Sequence, residues 1–433
     1  MSEFFFSCFH RYDDPGMQRC IASVCLKSRR LERCYSSASP MFTSFFYHNA
    51  QWKSRFQKSL PSPLRGVMGP TGLQAVQPVF REIENLTPMR LLRVYEQLSK
   101  SRLTILVVLS AMSSVAMSPY PTPLPVLLST ALGTVLCSAS ANTLNQIQEV
   151  PFDAQMARTR NRPLVRRAIT PTHAVGFALF TGITGPALLW TMVNPTTACL
   201  GLANIALYSG VYTWMKRRSV ANTWVGSVVG AIPPLMGWTA CGGHILPMST
   251  SLNLFWPPFI TENVTVPLDL SLIDNPLSAL ALFTLLYSWQ FPHFNSLSYM
   301  VRESYALASY QMLAVFSPKQ NALVSFRHSV ALAVVCSVLI PISGLTTWAF
   351  SVTSLLPNAV LVSAAHKYWK HGGEKEARIL WKHSLWYLPA ILGLMMFHKQ
   401  GMDWIAWIGL AEEKENSEII ANGNIPRAQV ESM

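Results

Sequence analysis

"TPLPVLLSTALGTVLCSASANTLNQIQEVPFDAQMARTRNRPL", residues 122–164, begins as an apolar run and ends in charge. About 20 apolar residues at 1.5 Å rise each cross a bilayer, so 122–146 reads as a membrane span. Its end carries Asn145, Glu149 and Asp153 at four-residue spacing, followed at once by Arg158, Arg160 and Arg162. On a helix, successive four-residue steps drift by only about 40°, so the amide and the two acids share one face. Pro151 is expected to kink or end the helix near Val150 and to leave Asp153 on an extra turn. Acid beside base at a membrane boundary suits a ligand that carries both a metal and negative charge. The bland alternative is helix capping and interfacial pairing, but carboxylates at such positions are costly and more often functional.

The rest of the chain fits a membrane setting. It has 433 residues, half of them hydrophobic and only 13% charged, where soluble domains carry about a quarter. The pattern predicts an all-α polytopic membrane protein, with spans at 103–119, 122–146, 171–192, 196–214, 221–240, 276–298, 328–347, 351–367 and 383–398. These would form a bundle of nine transmembrane helices around a central intramembrane chamber. Basic residues fill alternate loops, among them Arg166, Arg167, Arg218, Lys319 and Lys375. That alternation is the positive-inside signature, and it accounts for the net charge of +13 without nucleic acid. The long 241–275 connection falls on the non-basic side as a surface insertion.

Residues 1–90 form a separate N-terminal segment. Between 17 and 67 it is rich in Arg, Lys and Ser, with Glu32 the only acid, which resembles a mitochondrial transit peptide. The bland reading is a disordered polar tail. Residues 401–433 form a polar C-terminal tail. The eight cysteines form no CxxC pair, so neither a zinc site nor a disulfide framework is expected.

Two further stretches carry polar chemistry in apolar surroundings. "YSWQFPHFNSLSYMVRESY", 287–305, places Gln290, His293 and Asn295 deep in an aromatic span, with Arg302 and Glu303 where it emerges. A lone histidine there is often only hydrogen-bonded to a neighbour; together with Gln290 and Asn295 it reads as a second site element. "YTWMKRRSVANTWVGSVVGAIPPLMGW", 212–238, closes one span with Lys216 and Arg217 and opens the next with Asn222. Pro233 and Pro234 are expected to leave carbonyls unpaired and open a cavity wall. Carboxylate and amide oxygens suit Mg²⁺, which is usually bound together with substrate phosphates. Arginines suit diphosphate oxygens.

These three stretches resemble the protohaem IX farnesyltransferases (haem O synthases), a branch of the UbiA-type intramembrane prenyltransferases. The resemblance covers roughly residues 90–400 and rests on three motifs in order. It implies nine transmembrane helices and transfer of farnesyl from farnesyl diphosphate to a vinyl group of haem b, giving haem O for cytochrome c oxidase. It implies Mg²⁺ at Asn145, Glu149 and Asp153, joined by Glu303, and diphosphate at Arg158, Arg162 and Lys216, with Arg160 and Arg217 as further candidates. His293, with Asn145 and Asp153, would be catalytic, since a His at that position marks the haem branch. Haem b would be a substrate rather than a cofactor. The implied location is the mitochondrial inner membrane with the site facing the matrix, and haem A synthase or oxidase assembly factors are implied partners. Ser304 stands where the family normally has Asp, which weakens the second metal position unless Glu303 substitutes.

Three other readings compete. A 4-hydroxybenzoate prenyltransferase of the same architecture would carry DxxxD in the second motif, where this chain has His293 and Leu297. A transporter would show inverted repeats or charge along several spans. A non-catalytic haem-binding assembly factor is favoured only by Ser304.

Overall fold

The computed structural model describes residues 87–245, 254–257, 260 and 276–402. The expected transit segment, most of the 241–275 insertion and nearly all of the C-terminal tail lie outside the described residues. Every regular element among those described is helical. In chain order the helices are α1 (Pro88–Leu98), α2 (Ser101–Met117), α3 (Leu124–Asp153), α4 (Pro171–Met192), α5 (Pro195–Ala206), α6 (Asn222–Ala240), α7 (Pro276–Met300), α8 (Arg302–Leu307), α9 (Leu313–Phe316), α10 (Pro318–Val334), α11 (Ala349–Thr353), α12 (Leu355–His371) and α13 (Gly373–Phe397). A π-helical turn, Leu207–Tyr212, carries α5 on into Thr213–Met215. Another, Val335–Leu339, extends α10 into Ile340–Ile342.

The expected spans fall largely within helices, 351–367 being divided between α11 and α12 and 328–347 running past Ile342. By length and apolarity, α3, α4, α10 with its extension, and the run Ala349–His371 are able to cross a bilayer, and α1 with α2 makes a fifth if their 56° bend is counted within one span. Of the others, α5 is only 12 residues long, α13 opens in exposed charge, and α7 is diluted by inward-facing polar residues. On α7 these include Ser278, Ser288, Asn295, Ser296 and Ser298, all buried. Large apolar side chains point outward instead, as Ile105, Leu106 and Leu109 do on α2 and Phe180 and Ile183 on α4. This polarity suits lipid, where helices associate through close packing and interhelical hydrogen bonds.

Two boundaries differ from expectation. α10 starts ten residues before the predicted 328, because Asn321, Ser325 and Ser329 present one buried polar stripe. α13 likewise starts at Gly373, so Lys375, Arg378 and Lys382 ride its first turns rather than a loop.

Close approach in the bundle depends on small residues. A Cβ at Gly237 of α6 would collide with the backbone carbonyl of Ala111 on α2, and one at Gly230 would strike the Gln290 amide on α7. That amide donates to the Ser227 carbonyl at 2.9 Å. Asn295 and Asn321 donate to each other's carbonyls across α7 and α10, and Asn321 also donates to the Tyr368 hydroxyl at 3.1 Å. Gln290 and Asn295 are therefore packing ties between helices, which corrects their expected place in a second site. At the far end of α2, the Lys399 ammonium donates to the carbonyls of Ala116 and Ser118, both at 2.8 Å, and so satisfies a helix C-terminus.

Gly237→Ala should push α6 off α2 and cost about 1–3 kcal/mol, typical of overpacking. The check is the melting temperature in detergent beside Gly393→Ala, where a Cβ meets nothing; equal stability would contradict the packing.

Candidate functional site

The break between α1 and α2 sets the site's outer wall. Lys100 occupies it in a left-handed conformation, φ 49°. The carbonyls exposed at the end of α1 are taken up by α3: Gln146 donates to Gln97 and Leu98, and Asn142 donates to Ser99. The polar face of α3 thus does structural work at 142 and 146 and leaves 145, 149 and 153 for the interior.

Those three side chains are almost wholly buried. Their helix continues through Pro151 to Asp153, contrary to the expected break near Val150. Pro151 lies within the last turn, so it removes one ladder bond without ending the helix. Asn145 is engaged at both ends: its Oδ1 accepts from Lys100 Nζ at 2.8 Å, and its Nδ2 donates to Thr213 Oγ1 at 3.0 Å. Lys100 also donates to the Tyr208 hydroxyl at 3.3 Å. Glu149 Oε1 accepts from Lys216 Nζ at 2.7 Å, and Arg162 stands 3.8 Å from its other oxygen. Asp153 Oδ2 is held by Arg162, while its Oδ1 is buried without a hydrogen-bond partner.

Other segments close around this cluster. After α3 the chain turns back, and the Thr159 hydroxyl donates to the Asp153 carbonyl at 2.8 Å. Lys216, at the end of the α5 extension, lies 4.6 Å from the Tyr212 ring centroid and 5.9 Å from that of Tyr310. Its carbonyl accepts from the Gln311 N–H at 2.7 Å, and Asn222 donates to the Gln311 carbonyl at 2.7 Å. Asn222 is therefore a strap between loops. A cavity of about 50 Å³ lies in the middle, lined among others by Glu149, Asp153, Arg158, Arg162, Lys216 and Tyr310. That volume holds a few waters.

The sequence-derived residues divide accordingly. Glu149, Asp153, Arg162 and Lys216 line one cavity, with the exposed Arg158 at its edge, while Asn145, tied to Lys100 and Thr213, is buried outside that lining. Arg160 is exposed and outside the lining. Arg217 is also exposed, its guanidinium 4.1 Å above the Phe152 ring. Glu303 is exposed in the first turn of α8 and does not line the cavity, and neither does Ser304. His293 sits on α7 facing α13, apart from the cavity lining, to which α7 contributes Phe294. Its Nδ1 is 2.9 Å from Ser384 Oγ, and its ring stacks on Trp289 at 4.8 Å. Ser384's own hydroxyl hydrogen is directed to the Trp381 carbonyl.

Lys100, Tyr208, Tyr212 and Tyr310 escaped the sequence reading. "SKSRLT" at 99–104 looks like any basic flank before a span, and aromatic residues at interfaces are ordinary.

The donors suit a divalent cation. Asp153 offers an unused buried oxygen, and carboxylate and amide oxygens are hard ligands. Among the described residues no three His, Cys, Asp or Glu side chains gather to hold a metal by themselves. The protein would therefore supply part of a coordination shell and leave the rest to water and phosphate oxygens, as Mg²⁺ prefers.

Fold and cluster together define a class: a helical membrane bundle with a buried acid–base site near its rim. The UbiA prenyltransferase family model matches residues 106–388. The chain belongs to that family. It is 44% identical over 338 residues to the mitochondrial protoheme IX farnesyltransferase of Neurospora crassa, covering 74% of this chain and 63% of that protein. It is 41% identical over 307 residues to the Homo sapiens protein of the same description, covering 71% and 62%. The chain thus spans somewhat under two thirds of the length of these relatives. Among solved structures, a digeranylgeranylglyceryl phosphate synthase in membranes aligns with TM-score 0.55 at 14% identity, over 71% of this chain and 98% of that one. A UbiA homolog from Aeropyrum pernix K1 aligns with TM-score 0.51 at 17% identity, over 68% and 97%. At such identities the likeness is one of fold.

Arg162→Ala removes the partner of a buried carboxylate and should weaken Mg²⁺–diphosphate binding about a hundredfold. Arg160→Ala should stay within about twofold, as surface charges usually do. Isothermal titration of both variants checks this; equal losses would contradict the placement.

Proposed function

We propose that this chain transfers the farnesyl group of farnesyl diphosphate to a vinyl group of protohaem IX (haem b) to make haem O, a step toward haem A. The observation that carries this reading is the buried cluster itself: Asp153 with one free oxygen, among Arg158, Arg162 and Lys216 at one cavity. The haem half is supported by the protoheme IX farnesyltransferases it resembles and by the placement of His293 between Ser384 and the Trp289 ring.

Arg162 and Lys216 exchange partners in this account. They now neutralise Asp153 and Glu149; with substrate bound they turn to the diphosphate, and Arg158 joins them. Asn145, Glu149 and Asp153 would hold Mg²⁺, which would neutralise the leaving diphosphate. Lys100 keeps Asn145 oriented. The carbon–oxygen bond ionises and diphosphate leaves, the haem vinyl group attacks the allylic cation, and water adds to the resulting benzylic-type cation and loses a proton, which the diphosphate can take, to give a hydroxyethyl product. The apolar surroundings keep stray water from the cation. His293 orients the porphyrin. The nine helical spans form the chamber that receives the prenyl tail, and the setting is the mitochondrial inner membrane with the cluster on the matrix side.

The test is expression of the full chain with haem b, farnesyl diphosphate and Mg²⁺, followed by mass analysis of extracted haems. A haem heavier by farnesyl plus water is expected. Unchanged haem, or prenylated 4-hydroxybenzoate when that is offered, would contradict the proposal.

A further inference from the structure

Tyr310 is held rigidly in place, yet its hydroxyl bonds to nothing. The residue lies between α8 and α9 and is 4% exposed. Its N–H donates to the Tyr305 carbonyl at 3.0 Å, and its carbonyl accepts from the Met312 N–H at 3.0 Å. The preceding Ser309 takes φ 57°, a strained conformation for a residue other than glycine. The following Gln311 is strapped to Lys216 and Asn222. The ring packs edge-on to Tyr305 at 5.9 Å and tilted to Phe152 at 6.2 Å. Every atom but one thus has a structural reason to be where it is. The exception is the hydroxyl, buried without a hydrogen-bond partner. Leaving a polar group in that state is costly and calls for an explanation.

The same cavity holds a second such atom, Asp153 Oδ1. One is a donor and the other an acceptor, and they are not bonded to each other. An occupant that satisfies both must accept a hydrogen bond at one point and present positive charge at another. A cation-complexed diphosphate does so. Burial, with Glu149 adding to it, lifts the Tyr310 phenol well above its usual range, so it remains a donor at neutral pH.

We propose that the Tyr310 hydroxyl is a diphosphate-binding group, a neutral donor to a phosphate oxygen alongside Arg158, Arg162 and Lys216. This deepens the proposed function and rests on it. It also explains the strap: the Gln311–Lys216 bond fixes a cation and a neutral donor in one relative position. A donor without charge adds directionality to the cradle without adding to the repulsion among its cations.

Tyr310→Phe removes only the hydroxyl. Because that group bonds to no other part of the protein and is costly to bury unpaired, the variant should melt at or above the wild-type temperature when no ligand is present. Magnesium diphosphate should raise the melting temperature of the wild-type full chain in detergent, and its affinity for the variant should fall about tenfold or more, the loss expected for a hydrogen bond to a charged group. Wild-type stabilisation with an equal affinity in Tyr310→Phe would overturn this inference alone and leave a water as the hydroxyl's partner. No stabilisation of the wild type at all would overturn both the inference and the diphosphate reading beneath it.

Discussion

Two carboxylates and two cations, nearly all removed from water, constrain everything around them. Glu149 and Asp153 are 4% and 1% exposed, and each is matched by a cation from a different stretch of chain. Removing one partner of such a pair costs about 3–5 kcal/mol, so α3, the turn after it and the end of the α5 extension must arrive together. The straps through Gln311 and Asn222 then add the loop before α9. Burying these charges is an expensive way to stabilise a bundle, because well-packed apolar residues would do as well. What the cluster offers instead is a set of groups ready to exchange partners when a cation and an anion enter together.

The spacing of Asn145, Glu149 and Asp153 was legible because a helix of 3.6 residues per turn leaves little choice about which side they share. Arg158, Arg162 and Lys216 came from the family motifs they match, as did Arg160 and Arg217, which are exposed and do not line the cavity. Gln290 and Asn295 were misread for one physical reason. In a bundle without water, a polar side chain that holds two helices together carries the same letter as one that waits for a ligand. Only their hydrogen-bond partners distinguish them. Pro151 was misjudged because its cost depends on where in the helix it falls. Lys100 and Tyr310 were hidden more deeply, since each depends on a local conformation, a left-handed residue at 100 or at 309, that nothing in the sequence announces.

His293 stands apart from the ion cluster and has its own support. Ser384 holds its Nδ1 from α13, and Trp289 stacks on the ring. The bundle thus carries two polar positions with different chemistry: one rich in charge, and one an imidazole against an indole ring. That division suits a reaction that joins a charged, chain-like donor to a flat, largely apolar acceptor.

The central claim is that the Glu149–Lys216 pair serves the ligand rather than the fold. A double-mutant cycle tests it most directly, with melting temperature and magnesium diphosphate affinity measured on Glu149→Gln, Lys216→Met and the pair combined. The account predicts that each single variant is destabilised, that the double variant recovers much of the lost stability, and that none of the three binds magnesium diphosphate as the wild type does. A double variant that recovered binding together with stability would show that the pair is structural, and would contradict the account.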